Sequence, residues 1–178
     1  LLRTLGEGAK LRAADVATFM IVVSDNIATN MLIDYLGLDA INDFIRSIGC
    51  TGTRLHRRLR SDNWGEPLGT ITPRDMGHFF TLLAKGELVS AQASAAMRQI
   101  FRGQQYNTML AGNLPPYYTD AEESGADPDL IYTASKSGSM DACRNDGGLV
   151  HTPYGDYVLV MMCKEFANKL EVKDHPAF

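Results

Sequence analysis

The chain has 178 residues, 45% of them hydrophobic, and a net charge of −4, which is enough apolar material for one globular core. The mild, evenly spread acidity offers no nucleic-acid surface, and no apolar run approaches the ~20 residues of a membrane span. Three cysteines, Cys50, Cys143 and Cys163, and the scattered histidines His56, His78, His151 and His175 have no metal-ligand spacing.

In chain order, residues 13–23 are dense in Ala, Val, Phe, Met and Ile and read as a buried helix. After Ser24-Asp25-Asn26 a second helix begins, with Ile27, Met31 and Tyr35 on one face, Ala28, Leu32 and Leu36 beside it, and Gly37 as its stop. A third helix from Leu38 turns Ile41, Phe44, Ile45 and Ile48 inward and stops at Gly49. Residues 50–71 lose periodicity, hold the basic cluster "RLHRRLR" and the turn-rich "SDNWGEPLG", and read as a long surface loop. A helix opens at Thr72-Pro73, with Thr72 capping and Asp75 placed to reach back in a variant capping box, and it buries Met76, Phe79, Phe80 and Leu83. Another fits 90–102, opened by Ser90 and buried through Met97, Ile100 and Phe101.

Residues 103–128 are polar and rich in Gly and Pro, hence loop. Three strand patterns follow: "DLIYTASKSG", "RNDGGLVHTP" and "GDYVLVMMCKE". The last is an apolar run bounded by charges, of the kind found in central strands, which makes Met161, Met162 and Cys163 core residues. The short link "TPYGD" suits a hairpin, so the strands form an antiparallel sheet. The reading is an α+β chain: a mostly helical part over 1–115, a loop over 116–128, and strands with a C-terminal tail over 129–178.

Two short motifs carry chemistry. Ser24-Asp25-Asn26 lies on a turn between helices, and Lys136-Ser137-Gly138-Ser139 lies at the end of a strand. Taken alone, the first is a good capping turn, and Ser61-Asp62-Asn63 repeats it in loop. Together, in this order and these contexts, they match motifs of penicillin-recognising serine hydrolases. With "VSDNIATNMLIDYLG", the Thr72-Pro73 helix start, "KGELVS", Leu114-Pro115 and "KSGSMDACRNDGGLV", the chain resembles the class A β-lactamases and their penicillin-binding relatives over nearly all of residues 1–166.

The resemblance implies a β-lactamase/transpeptidase-like fold and a role for each matched residue. Ser24 would relay a proton to the leaving nitrogen, Asn26 would bind the substrate's amide side chain, and Asp25 would buttress the loop. Lys136 would attract the substrate carboxylate and tune Ser24. Ser137 would hydrogen-bond that carboxylate, Gly138 would admit the ligand close to the strand, and the Ser139 N–H would supply half of an oxyanion hole, a term worth several kcal/mol. Arg144 could bind a carboxylate, though pairing with Asp141 or Asp146 is the first reading. No metal and no cofactor is implied. The partner is a small β-lactam or D-alanyl peptide, and the family's substrates imply a secreted or periplasmic setting.

Two family elements are not matched cleanly. No serine has a lysine three places on, so the Ser-x-x-Lys nucleophile motif is not in these residues, and Thr133-Ala-Ser-Lys136 belongs to the late motif. The first residue is Leu1, without a charged-then-apolar leader. The expectation is therefore the C-terminal portion of a longer product, inactive alone. Glu66 in "WGEPLG" is the candidate for the deacylating base, against a solvated loop carboxylate. A carboxypeptidase or esterase-like enzyme with slow deacylation, or a non-enzymatic ligand-binding remnant, are the alternatives. A sheet face left open would be covered by the chain's own N-terminal segment or by another copy.

Overall fold

The computed structural model describes residues 1–59, 67–112, 114, 125, 127–140 and 143–165. The chain divides into two compact units, Leu1–Phe79 and Phe80–Phe178.

In the first unit, a 3-10 turn at Leu2–Thr4 precedes α1 (Ala13–Val22), α2 (Asn26–Leu36) and α3 (Leu38–Ser47). Leu2, Val16 and Ala28 form a small buried cluster, with Phe19, Met20 and Leu32 packed on it. The expected helices are present, but their burial is lighter than their apolar content implies. Only Val16 is buried in α1. On α2 the Ala28 side is covered, whereas Ile27, Met31 and Tyr35 are 43%, 44% and 77% exposed. On α3 the buried residue is Asn42, and Phe44 is exposed. Gly37, at φ 82, both ends α2 and opens α3, a left-handed conformation that glycine adopts without cost.

The span 50–71, expected as loop, contains a short ladder in which β1 (Arg54–Leu55) pairs antiparallel with β2 (Gly69–Thr70). Two side-chain amides hold this segment. Asn42 donates to Leu55 O and accepts its N–H, both at 2.9 Å. Asn30 does the same for Leu59, again at 2.9 Å twice. Each amide imitates a strand partner and satisfies backbone groups that periodicity would leave open. Ser61-Asp62-Asn63 lies outside the described residues. Next, α4 (Pro73–Lys85) opens as expected, Thr72 Oγ1 accepting the Asp75 N–H at 3.1 Å. The Asp75 carboxylate does not reach back. It accepts from Gly52 N–H and Thr53 Oγ1, each at 2.8 Å, and pins the turn after α3.

In the second unit, the end of α4 and α5 (Ala91–Arg102) bring Phe80 and Phe101 edge to face, ring centres 5.2 Å apart. Ser90 caps α5 through Ala93 N–H at 3.1 Å. Ser94 is buried but satisfied, donating to Leu88 O and accepting its N–H. Helix α5 lies along β3 (Tyr132–Met140), the first strand of an antiparallel sheet ordered β3-β4-β5, with β4 (Cys143–His151) in the middle and β5 (Tyr157–Lys164) outside. At the start of β3, the Arg102 guanidinium sits 3.9 Å over the Tyr132 ring, which in turn stacks on His151.

Among the described residues the apolar run of β5 pairs with β4 alone and forms the edge of the three-stranded sheet. Its alternate residues Tyr157, Leu159 and Met161 are 50%, 40% and 46% exposed, and Cys163 is exposed rather than buried. Exposure alternates along β5 with the period of two of a strand.

Gly148 stands opposite Ser135 in the sheet. A Cβ there would lie 2.5 Å from Ala134 O and 2.6 Å from the Ser135 Cβ. Since backbone cannot yield cheaply, Gly148→Ala is expected to cost about 1–3 kcal/mol, read as a lower urea midpoint with an unchanged slope. Unchanged stability would contradict the close approach of β3 and β4 at this point.

Candidate active site

The Ser24-Asp25-Asn26 turn is built by Asp25. This residue is the N-cap of α2, its Oδ1 accepting from the N–H groups of Ile27 at 2.9 Å and Ala28 at 3.0 Å. Its Oδ2 accepts from Leu2 N–H at 2.9 Å and from the Leu1 amine at 2.5 Å. In the 178-residue chain burial pushes the Asp25 carboxyl up, but the free Leu1 amine, which in a longer chain is a peptide N–H, and the Ala28 and Leu2 N–H groups outweigh it and bring the pKa down to about 2. The expected buttress is thus an anchored carboxylate. Its neighbours Ser24 and Asn26 remain exposed. Ser24 has φ 52, one of three non-glycine residues in the left-handed region among those described. Such strain persists where the surrounding structure enforces it, often at functional positions.

In the second unit, Lys136, Ser137, Gly138 and Ser139 follow one another on β3. Gly138 and Ser139 are exposed, and a Cβ built on Gly138 would meet nothing within 4 Å. Lys136 Nζ donates to Ser137 O at 2.5 Å. The register sets Ser139 opposite Arg144, Ser137 opposite Asp146, and Lys136 opposite Gly147. Directly opposed residues share a face, so Arg144 and Asp146 flank the serines of the motif. The Arg144 guanidinium donates to Met140 O and Cys143 O, tying the strand ends of the β3–β4 hairpin. Asp146 is not its ion-pair partner: that carboxylate accepts from Leu110 N–H at 3.0 Å and Gly147 N–H at 2.8 Å. Asp141 and Glu66 lie outside the described residues. No group of three His, Cys, Asp or Glu gathers among those described.

The electrostatics of this strand pair were not legible in the motif. Burial lowers the Lys136 ammonium below its ordinary value, and Asp146 opposes that shift. Burial raises the Asp146 carboxyl, against the Leu110 and Gly147 N–H groups and Lys136. The one signal in the sequence was the position of Asp146 in "RNDGG", next to the residue opposite Lys136.

The sequence profile of the β-lactamase enzyme family matches residues 1–175. The chain belongs to the β-lactamase enzyme family. A β-lactamase of Rhodobacter capsulatus is 26% identical over 172 residues, covering 94% of this chain and 55% of that protein. Among solved structures, a β-lactamase of Sphaerobacter thermophilus superposes with a TM-score of 0.79 at 30% identity, over 97% of this chain and 60% of the other. PBP-A superposes with a TM-score of 0.75 at 28% identity, over 92% and 57%, and a point mutant of PBP-A is known as an acyl-enzyme complex with penicillin G. The chain thus spans little more than half the length of these β-lactamase-family relatives. The α/β fold expected from the motifs is the one found, with five α-helices and the three-stranded antiparallel sheet among the described residues.

Proposed function

We propose that the intact protein is a serine hydrolase of the β-lactamase type, which opens a β-lactam amide through an acyl-serine intermediate. What supports this most is that both motifs stand on exposed backbone, the strained Ser24 turn and the open Gly138-Ser139 strand, in a chain that the family profile spans. In this reading Ser24 and Lys136 serve the same substrate. Ser24 relays the proton, Lys136 draws in the substrate carboxylate, and Ser137 and Arg144 hold it. Asn26 binds the substrate's amide, and the Ser139 N–H faces the developing oxyanion. Glu66 would activate the deacylating water. The nucleophile comes from outside residues 1–178, since no Ser-x-x-Lys occurs in them, and the 178-residue chain alone is inactive. A secreted or periplasmic site of action follows from the substrate class.

The test is incubation of the full-length protein with a chromogenic cephalosporin. Rapid multiple turnover is expected. A burst followed by a stall would favour the second reading, a penicillin-binding enzyme with slow deacylation, which the likeness to PBP-A supports. Absence of any acylation would overturn both.

Among the described residues β5 pairs on one edge only, and its Tyr157, Leu159 and Met161 are exposed. An unpaired strand with an apolar face invites association. The 178-residue chain by itself is therefore expected to self-associate in light scattering. A well-behaved monomer would contradict that expectation.

A further inference from the structure

We propose that Arg144 is a positioning residue for the oxyanion donor: its buried guanidinium, bonded to both strands at the end of the β3–β4 ladder, fixes the backbone that presents the Ser139 N–H. This rests on the reading that the Ser139 N–H faces the developing oxyanion. It is separate from any contact of Arg144 with the substrate carboxylate.

The β3–β4 ladder ends at the pair Met140 and Cys143, and the pair before it is Ser139 and Arg144. Ser139 therefore stands one pair from the end of the ladder, where strands open most easily. The residues around it add to that freedom. Gly138, Ser139 and Met140 are all exposed, and a Cβ on Gly138 would meet nothing within 4 Å. A glycine there places few limits on its own backbone. An oxyanion donor, by contrast, is effective only when its position is set before the charge develops.

Arg144 supplies the missing constraint. It is 5% exposed, and its Nη1 donates to Met140 O on β3 and to Cys143 O on β4, the latter at 2.9 Å. One nitrogen thus spans the last pair of the ladder, and one of its two acceptors belongs to the residue that follows Ser139. Bonds from a charged donor are roughly twice as strong as neutral ones, and a buried guanidinium needs acceptors of this kind. Directly opposed residues share a face, so the Arg144 stem lies on the Ser139 side of the sheet. Arginine also suits the task because its planar head loses little freedom for each bond formed. The residues around it on the same face have other roles. Cys163, opposite Arg144 on β5, is an exposed thiol. Asp146, two residues along β4, accepts from the Leu110 and Gly147 N–H groups.

The test compares the full-length protein with Arg144→Met, which keeps an apolar stem in the buried space and removes the donors. The first readout is the 15N order parameter of the Ser139 amide, expected at about 0.85 in the wild type and below about 0.6 in the variant. The second is acylation by a chromogenic cephalosporin and by p-nitrophenyl acetate, an ester with no free carboxylate. The maximal acylation rate should fall about tenfold to a hundredfold with both compounds. A change confined to the half-saturating concentration of the cephalosporin, with the ester unaffected, would reduce Arg144 to a carboxylate contact and overturn the proposal. An unchanged Ser139 order parameter in folded Arg144→Met overturns it as well. If Arg144→Met does not fold, Arg144→Lys, which keeps the charge without the planar fork, should show a partial loss of both order and rate, and no loss of order overturns the proposal. A wild-type Ser139 amide already below about 0.6 overturns it without any variant. Failure of the wild-type protein to acylate with either compound would count against the hydrolase reading, while the order parameters still decide the role of Arg144.

Discussion

Replacing Ser24 by glycine in the full-length protein is expected to lower hydrolysis of a chromogenic cephalosporin about a hundredfold and to leave the melting temperature unchanged or raised. The two effects separate because they arise from different atoms. In the proposed mechanism the hydroxyl is the proton relay, and general acid–base groups contribute about 10²–10⁴-fold. The backbone at Ser24 has φ 52, which costs an L-residue about 1–2 kcal/mol and costs glycine almost nothing. Relief of that strain offsets the hydroxyl's own bonds and the greater freedom of glycine in the unfolded chain. Ser24→Ala should match the loss of activity without the relief. Full activity in Ser24→Gly, measured by steady-state kinetics, would remove Ser24 from the mechanism.

Asp25→Ala should be the most damaging single change to stability, at about 3 kcal/mol. The side chain is an N-cap and also a tie between two stretches of chain, with the N–H groups of Leu2, Ile27 and Ala28 on its two oxygens. Alanine leaves the buried N–H of Ala28 without its side-chain acceptor and cuts the link to Leu2. The effect also has a pH signature. The folded pKa, about 2, lies below the ordinary carboxylate value of 3.8. A depressed acid stabilises the fold above its unfolded pKa and loses that contribution as pH falls through the folded one. Melting temperature of the 178-residue chain, with its free Leu1 amine, should therefore decline between about pH 4 and pH 2, with this component absent in Asp25→Asn of the same chain. Equal acid sensitivity in both proteins would contradict the assigned role.

What could be read from the sequence was mostly local. Ser90 and Thr72 announced α5 and α4 because a capping hydroxyl acts within three residues. Gly37 separated α2 from α3 because few other residues tolerate φ 82. Strands β3 to β5 came from apolar runs and turn residues, and their order followed from a short hairpin link. What escaped depended on partners distant in the chain. Asn30 and Asn42 build strand-like pairing for Leu59 and Leu55 from side chains, which no periodicity records. Cys163 and Met161 lie in an apolar run, but a run states a preference for burial and not the surface that satisfies it. In the candidate site, the motif residues were legible because their chemistry is in their spelling. The buried setting of Asp146 was not, because it comes from the register that sets it opposite Ser137 and from the Leu110 N–H far off in the chain.

The central claim is that Ser24 and Lys136 serve the same bound ligand, and a double-mutant cycle in the full-length protein addresses it most directly. Ser24→Ala and Lys136→Ala should each lower acylation about a hundredfold, and the double variant should fall no more than about tenfold below the worse single one, as for groups that act as a unit. Losses that multiply to about 10⁴-fold would mean that the two residues act independently, and the claim that they serve one ligand would have to be abandoned.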